Sequence, residues 1–363
     1  MFERVCNLRL SENDEHKSRV VKRKMSMNNL DRRSFLRRTG LTGFSLLAIH
    51  AGANRAVADP DPPPGSAPAV GPVAEPEIYP FKLGNADAFV IHDGVLTFPG
   101  LQPTFLPEAK PEELQELFSR NYLPFDRFSL SLNVLAIKGV DGLMLFDAGM
   151  GKSRGPSWGK LVRGLAKIGV GPSEVKSIFV THAHADHIGG LVDEANKPIF
   201  SFARIVAPKS EVGFWTSENP DLSGMRTPQE MKTQAVIGAK NTFEAIKSHL
   251  VLTESGPVSP GVELISAPGH TPGHSMFRVS VGGEKILVIG DIVHVFAAQF
   301  PHPEWTIAFD VNPKLAIETR RQVFKQLAAD RELVLAYHMP FPGLGHVRAE
   351  GQSFEWVPKP WIT

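Results

Sequence analysis

Cysteine is almost missing from this chain: Cys6 is the only one in 363 residues, so everything after it can form neither a disulfide nor a thiolate metal site. Long apolar runs are missing as well. The moderately apolar stretch Leu41–Ala53 has about 13 residues, too few to span a bilayer comfortably. There is no excess of one charge either: 39 Lys/Arg stand against 38 Asp/Glu, a formal net charge of +1. That near-neutrality hides an asymmetry, because residues 1–58 carry 12 basic and 5 acidic side chains. The remainder is mildly acidic and has no basic stripe suited to a nucleic-acid backbone. What is present suits an enzyme. Hydrophobic residues make up 42% of the chain, enough for a sizeable core, while 32 glycines and 30 prolines point to long loops rather than a helical bundle.

The basic beginning reads as a targeting segment. Asp31-Arg32-Arg33-Ser34-Phe35-Leu36-Arg37-Arg38 precedes the apolar stretch, and Ala56-Val57-Ala58 offers small residues for cleavage. This resembles a twin-arginine export signal, a route for folded proteins that can leave already loaded with metal. The expectation is a signal over 1–58, with Met25 or Met27 as alternative starts, and a periplasmic or secreted product without a stable membrane span. A disordered basic tail with a short helix is the plainer alternative. Residues 59–77, with Pro62-Pro63-Pro64-Gly65, read as an extended linker, and 78–363 as the catalytic domain.

Within that domain, Pro111-Glu112-Glu113 opens an amphipathic helix to about Asn121. Ser131–Ile137 and Leu143–Phe146 read as paired strands around Val140-Asp141-Gly142, ending at Asp147-Ala148-Gly149. A helix is expected over Ser157–Gly169 and a short strand over Ser177–Val180. Further strands are expected at Arg204–Ala207, Val262–Ser266, Ser275–Val281, Lys285–Ile289 and Leu333–Tyr337, with helices at Asn241–Leu250 and Pro313–Ala328. Hairpins alternating with helical crossovers indicate a mixed α/β fold rather than a parallel doubly wound one.

The decisive segment follows an apolar strand: Thr181-His182-Ala183-His184-Ala185-Asp186-His187-Ile188-Gly189-Gly190. A zinc-type ion needs three or four converging N/O donors, and imidazole is largely available near neutral pH. His182 and His184, two apart on an extended or turning segment, can reach one ion. Asp186 and His187, at the mouth of the following helix, can reach a second. An isolated histidine usually has an ordinary packing explanation; four potential ligands within six residues do not.

This run resembles the H-x-H-x-D-H motif of the metallo-β-lactamase superfamily, and the resemblance extends over roughly residues 80–355. It implies an αβ/βα sandwich of two mixed β-sheets flanked by helices, holding two divalent ions. Zn2+ suits the donors best, with Mn2+, Co2+ or Fe2+ as alternatives. His182 and His184 then belong to the first ion, Asp186 and His187 to the second. In Ala267-Pro268-Gly269-His270-Thr271-Pro272-Gly273-His274 the resemblance makes His270 the third imidazole of the first site and His274 a supporting histidine. Asp291 of Gly290-Asp291 would bridge the ions, and His338 of Tyr337-His338 would complete the second site. Asp147 matches an aspartate that orients a ligand histidine. Each later ligand follows a strand-like run, where a side chain can be held more accurately than on a loop.

A dinuclear centre of this kind supports hydrolysis through a shared hydroxide, with Asp186 orienting it or handling its proton. The segments Gly290–His294, Ala297–Phe300 and Phe341–Arg348 are similar to the methyl parathion hydrolase and lactonase/arylesterase group. That likeness implies an apolar substrate wall of Trp215, Phe296, Ile307 and Phe309. It also places His294 where many lactonases of the fold carry a tyrosine, giving it a catalytic and substrate-binding role. His294 and Arg154, which stands where the phosphotriesterases have an aromatic residue, favour lactones, including N-acyl-homoserine lactones, or aryl esters. Organophosphate triester hydrolysis is the alternative, and an inactive metal-binding protein the third reading. No nucleic-acid partner is expected; a homodimer is left open.

Overall fold

The computed structural model describes residues 77–139, 142–151 and 157–360. The export-signal and linker expectations, Cys6 and Arg154 lie outside the described residues. The chain enters on a hairpin, β1 (Ile78–Leu83) and β2 (Ala86–Phe98), turned at Gly84-Asn85. Then come α1 (Pro111–Arg120), β3 (Phe128–Gly139), β4 (Gly142–Phe146), α2 (Leu161–Lys167) and β5 (Val175–Phe179). A short turn of helix, α3 (Ala185–Ile188), leads to β6 (Arg204–Pro208), α4 (Lys209–Thr216), α5 (Gln229–Ala245) and β7 (Leu250–Thr253). The second half contains β8 (Gly256–Ser259), β9 (Val262–Ser266), β10 (Ser275–Val281), β11 (Glu284–Val288), α6 (Phe296–Gln299), α7 (Pro313–Asp330), β12 (Leu333–Leu335), β13 (Leu344–Glu350) and β14 (Ser353–Pro358).

The strands form two seven-stranded sheets, one running from β1 to β7 in order and the other from β14 back to β8. Both are mixed. The first is antiparallel from β1 to β4 and parallel from β4 to β7; in the second only β11 and β12 are parallel. Alternation explains the inner faces. Phe146, Phe179 and Phe277 come from β4, β5 and β10 and meet between the sheets, the first two stacked at 5.0 Å. The outer faces bury separate clusters beneath the helices, with α5 contributing Ala239 and Phe243 to one side and α7 contributing Val323, Phe324 and Leu327 to the other. This is the expected sandwich.

Several boundaries differ from expectation. The helix expected over Asn241–Leu250 is instead the far end of α5, and Leu250 already belongs to β7. Its start is marked by Pro228 followed by the acidic first-turn Glu230. The helix expected at Ser157–Gly169 is confined to α2. The β1–β2 and β13–β14 hairpins were not anticipated; the inner face of the first places Ala86 and Ala88 among Tyr79, Leu83 and Val90. Among the described residues, no helix is long and apolar enough to cross a membrane.

Candidate metal centre

Four strand ends converge at one edge of the sandwich. β5 ends just before His182, β9 just before the loop to His270, β11 just before Asp291, and β12 just before His338. Two backbone hydrogen bonds tie the sheets at this edge: Ser275 N to Thr181 O at 3.0 Å, and Asn133 N to Tyr337 O at 3.1 Å. The motif glycines are needed where the chain folds back. A Cβ at Gly190 would stand 1.9 Å from the Ala148 carbonyl oxygen, inside any tolerable contact.

All seven expected ligands meet here. His182, His184, His270 and Asp291 bring donor atoms within 4.8 Å of one another, as do Asp186, His187 and His338. Asp291 is the hub. Its Oδ2 lies 3.2 Å from His270 Nε2, 3.2 Å from His338 Nε2 and 3.5 Å from His182 Nε2, while Oδ1 lies 3.1 Å from His187 Nε2. His182 Nε2, His187 Nε2 and Asp291 Oδ1 are buried and have no hydrogen-bond partner among the described residues. Buried polar atoms at such distances, aimed at a common space and bonded to nothing, are costly on their own. Divalent ions would satisfy them, so the donor set fits two such ions: His182, His184 and His270 around one, Asp186, His187 and His338 around the other, with Asp291 between.

The outward nitrogens are held in turn. His187 Nδ1 lies 2.8 Å from Asp147 Oδ2, and Asp147 is itself held by the Thr181 amide and hydroxyl, each donating at 2.8 Å. His270 Nδ1 lies 2.9 Å from Asp310 Oδ1, and His338 Nδ1 lies 3.0 Å from the Ser131 carbonyl. Such partners fix the ring and its tautomer. His274 is a strut rather than a donor to the cluster: Nδ1 faces the Ala267 carbonyl at 3.0 Å and Nε2 accepts from the Asp291 amide at 3.0 Å.

Electrostatics follow the same plan. Burial, reinforced by neighbouring imidazoles, holds His182 and His184 well below the usual histidine range, leaving neutral rings with lone pairs to give. Burial acts the same way on His270, but hydrogen bonds to Asp291 and Asp310 outweigh it and raise the ring to about 9. For Asp291, burial opposes ionisation, yet His187, His338, His182 and His294 together hold the carboxyl well below its usual range.

Sequence reasoning missed two acidic residues. Asp310 carried no motif. Glu211, fully buried on α4, accepts from Ala183 N at 2.8 Å, Trp215 Nε1 at 2.8 Å, Thr271 Oγ1 at 2.7 Å and Gly273 N at 2.9 Å. It therefore ties the His182–His184 loop to the loop after His270. Burial pushes its carboxyl up against these four hydrogen bonds. A lone glutamate three residues after a strand gives no sequence signal of such a role.

A cavity of about 430 Å³ opens onto the cluster, bordered by Asp186, Asp291, His184, His270, His294 and His338. Its other walls include Leu96, Phe98, Leu130, Met150, Met225, Met231 and Phe309. Of the expected wall residues, Phe309 is there, but Trp215, Phe296 and Ile307 are not. Trp215 is fully buried behind His184, its ring edge-on at 5.6 Å, with its N–H donated to Glu211. Ile307 packs in the cluster around Phe105, and Phe296 packs with the α7 side of the second sheet. The family likeness marked these apolar positions without telling core from cavity. His294 borders the cavity, but its Nε2 is turned to Asp291 Oδ2 at 3.1 Å. That nitrogen is thus occupied within the cluster rather than presented to a substrate.

A family model for the metallo-β-lactamase superfamily matches residues 130–338. Among solved structures, AidC, a dizinc quorum-quenching lactonase in complex with a product N-hexanoyl-L-homoserine, superposes with a TM-score of 0.76 at 30% identity, covering 79% of this chain and 99% of that one. The hydrolase AbOPH, described as a member of the β-lactamase superfamily, gives a TM-score of 0.72 at 28% identity, with coverages of 79% and 99%. The probable metallo-hydrolase Rv2300c of Mycobacterium tuberculosis is 24% identical over 206 residues, which is 51% of this chain but only 64% of that relative's length.

Proposed function

Because this chain belongs to the metallo-β-lactamase superfamily, we propose that its centre is dinuclear and hydrolyses lactones and aryl esters, N-acyl-homoserine lactones foremost. The observation that carries this reading is the cavity. Its walls outside the ligand cluster are mostly apolar, with Thr227, Glu230 and Gln234 as the polar exceptions, and among the described residues no lysine or arginine lines it. Beyond the ions themselves, an anionic phosphate monoester or nucleotide would find no basic side chain there to pair with, whereas a neutral acyl chain would be desolvated favourably. The solved lactonase at 30% identity, with an acyl-homoserine product bound, supports the same substrate class.

Divalent ions, when bound, supply Lewis acidity toward a carbonyl and lower the pKa of a water. The remaining work belongs to the chain. Asp186 keeps 14% of its side chain exposed, more than its neighbours Asp291 and His338. From there it takes the proton of the attacking water and returns it to the leaving alkoxide. Phe98, Phe309 and the methionines exclude water and hold the apolar part of the substrate. Thr227, on the cavity wall, has a buried hydroxyl without a hydrogen-bond partner among the described residues. It is free to bond the amide that distinguishes an acyl-homoserine lactone from a simple ester.

The test is a comparison of kcat/KM for acyl-homoserine lactones, simple lactones, aryl esters and phosphotriesters on zinc-loaded protein. Thr227→Val should lower the value for acyl-homoserine lactones roughly threefold to tenfold and leave aryl esters unchanged. A wild-type preference for phosphotriesters by more than tenfold would replace this reading with the organophosphate one.

A further inference from the structure

His294 stands apart from the ligands expected from the motif, yet its geometry matches theirs. Its Nε2 is 3.1 Å from Asp291 Oδ2, beside His338 Nε2 at 3.2 Å, and the two imidazoles lie stacked at 5.0 Å with planes 25° apart. Donor atoms of Asp291, His294 and His338 fall within 4.8 Å of one another, all three residues being buried.

Lone-pair counting makes this placement informative. A carboxylate oxygen offers about two acceptor sites. Four ring nitrogens crowd Asp291 Oδ2, those of His182, His270, His294 and His338, at 3.1–3.5 Å. At least two of them must face something other than that oxygen. The nitrogens in hydrogen-bonding position on that oxygen include those of His294 and His338, so His294 meets Asp291 in the same way as an expected ligand, its ring 5.0 Å from that of His338 and 5.0 Å from that of His270.

The segment bearing His294 is also braced as a ligand loop would be. Gln299 Oε1 accepts from the His294 amide at 2.8 Å and the Val295 amide at 3.0 Å, and Gln299 Nε2 donates to the Trp305 carbonyl at 2.9 Å. The fully buried Arg320 donates to the same Trp305 carbonyl at 2.9 Å, to Ile292 O at 2.7 Å and to Pro303 O at 2.8 Å. A buried guanidinium and a buried amide spent on loop carbonyls and amides fix the backbone that carries the ring, while the ring's own Nδ1 is buried without a hydrogen-bond partner among the described residues.

We propose that His294 is a sixth imidazole of the centre, ligating the second ion together with Asp186, His187, His338 and Asp291. The proposal rests on the dinuclear reading above. A third imidazole makes that site richer in nitrogen than its partner carboxylates alone would, which favours zinc, cobalt or nickel over manganese.

The test is stepwise zinc binding by the full chain, measured against a competing chelator, together with a crystal structure of the dizinc wild type. Wild type should take up two ions, with His294 Nε2 at about 2.1 Å from one of them. His294→Phe should keep the first ion and bind the second more weakly, by at least the tenfold to hundredfold typical of losing even an outer hydrogen-bond partner. It should also narrow the preference for zinc over manganese. Unchanged zinc affinity in this variant, or a His294 that only hydrogen-bonds to Asp291 in the dizinc crystal, would overturn the proposal and leave the proposed function standing. A wild type that takes up fewer than two ions would overturn the reading beneath it. Should His294→Phe fail to fold, the nitrogen-to-metal distance in the wild type decides alone.

Discussion

The two halves of the sandwich contribute to the centre in opposite styles. The first sheet delivers His182, His184, Asp186 and His187 from one continuous run behind β5. The second delivers His270, Asp291 and His338 singly, each from a different strand end. One half concentrates its chemistry in a peptide; the other has its chemistry only as a folded sheet. A ligand cluster can thus be local in sequence, where loop geometry sets it, or local only in space, where strand register sets it.

The comparison breaks if either style is dispensable. His182→Ala from the continuous run and Asp291→Ala from the dispersed set should each lower kcat/KM by about a thousandfold or more, equivalent to roughly 4 kcal/mol of transition-state stabilisation. Measured at saturating zinc, an Asp291→Ala variant that kept a tenth of wild-type activity would reduce the second half to a wall.

Glu211 joins the two styles, since it bonds Ala183 in the continuous run and Thr271 and Gly273 beside His270. Replacing it with alanine strands those donors and the Trp215 N–H in a buried site. Denaturant unfolding of the zinc-loaded protein should show a loss of about 3–5 kcal/mol. A loss under 1 kcal/mol would mean the loops hold their spacing without it.

The smallest expected effect sharpens the contrast most. Asp147 and Asp310 do the same work in opposite halves, one behind His187 and one behind His270. Asp147→Asn and Asp310→Asn should each weaken zinc binding tenfold to hundredfold, but at different ions. Competition titrations in which both variants weakened the same ion would contradict the division of donors between the two sites.

These cases also mark how far the sequence could be read. The continuous run announces itself, because donor types and spacing lie within one segment. His270, Asp291 and His338 were legible through strand-like runs before them and through likeness to a family. Asp310 was not, because a single aspartate on a loop resembles a capping residue until the fold brings it to His270. Glu211 was hidden for a similar reason. Trp215 and Ile307 show the converse failure: an apolar side chain is easily recognised, but whether it faces a core or a cavity depends on which way its element is turned. The β1–β2 hairpin carried a legible turn at Gly84-Asn85, yet its inner face uses Ala86 and Ala88, which speak weakly for a strand.

The strand-end origin of the centre has a kinetic corollary. His182 and His338 lie 156 residues apart in sequence (338 − 182), on different sheets, and are joined through Asp291. Such closures carry a large entropic cost and form late on a folding route. High-affinity metal capture should therefore coincide with the final docking of the two sheets rather than with the appearance of secondary structure. Zinc added during refolding would then accelerate little and instead slow unfolding, acting as a lock on a completed architecture.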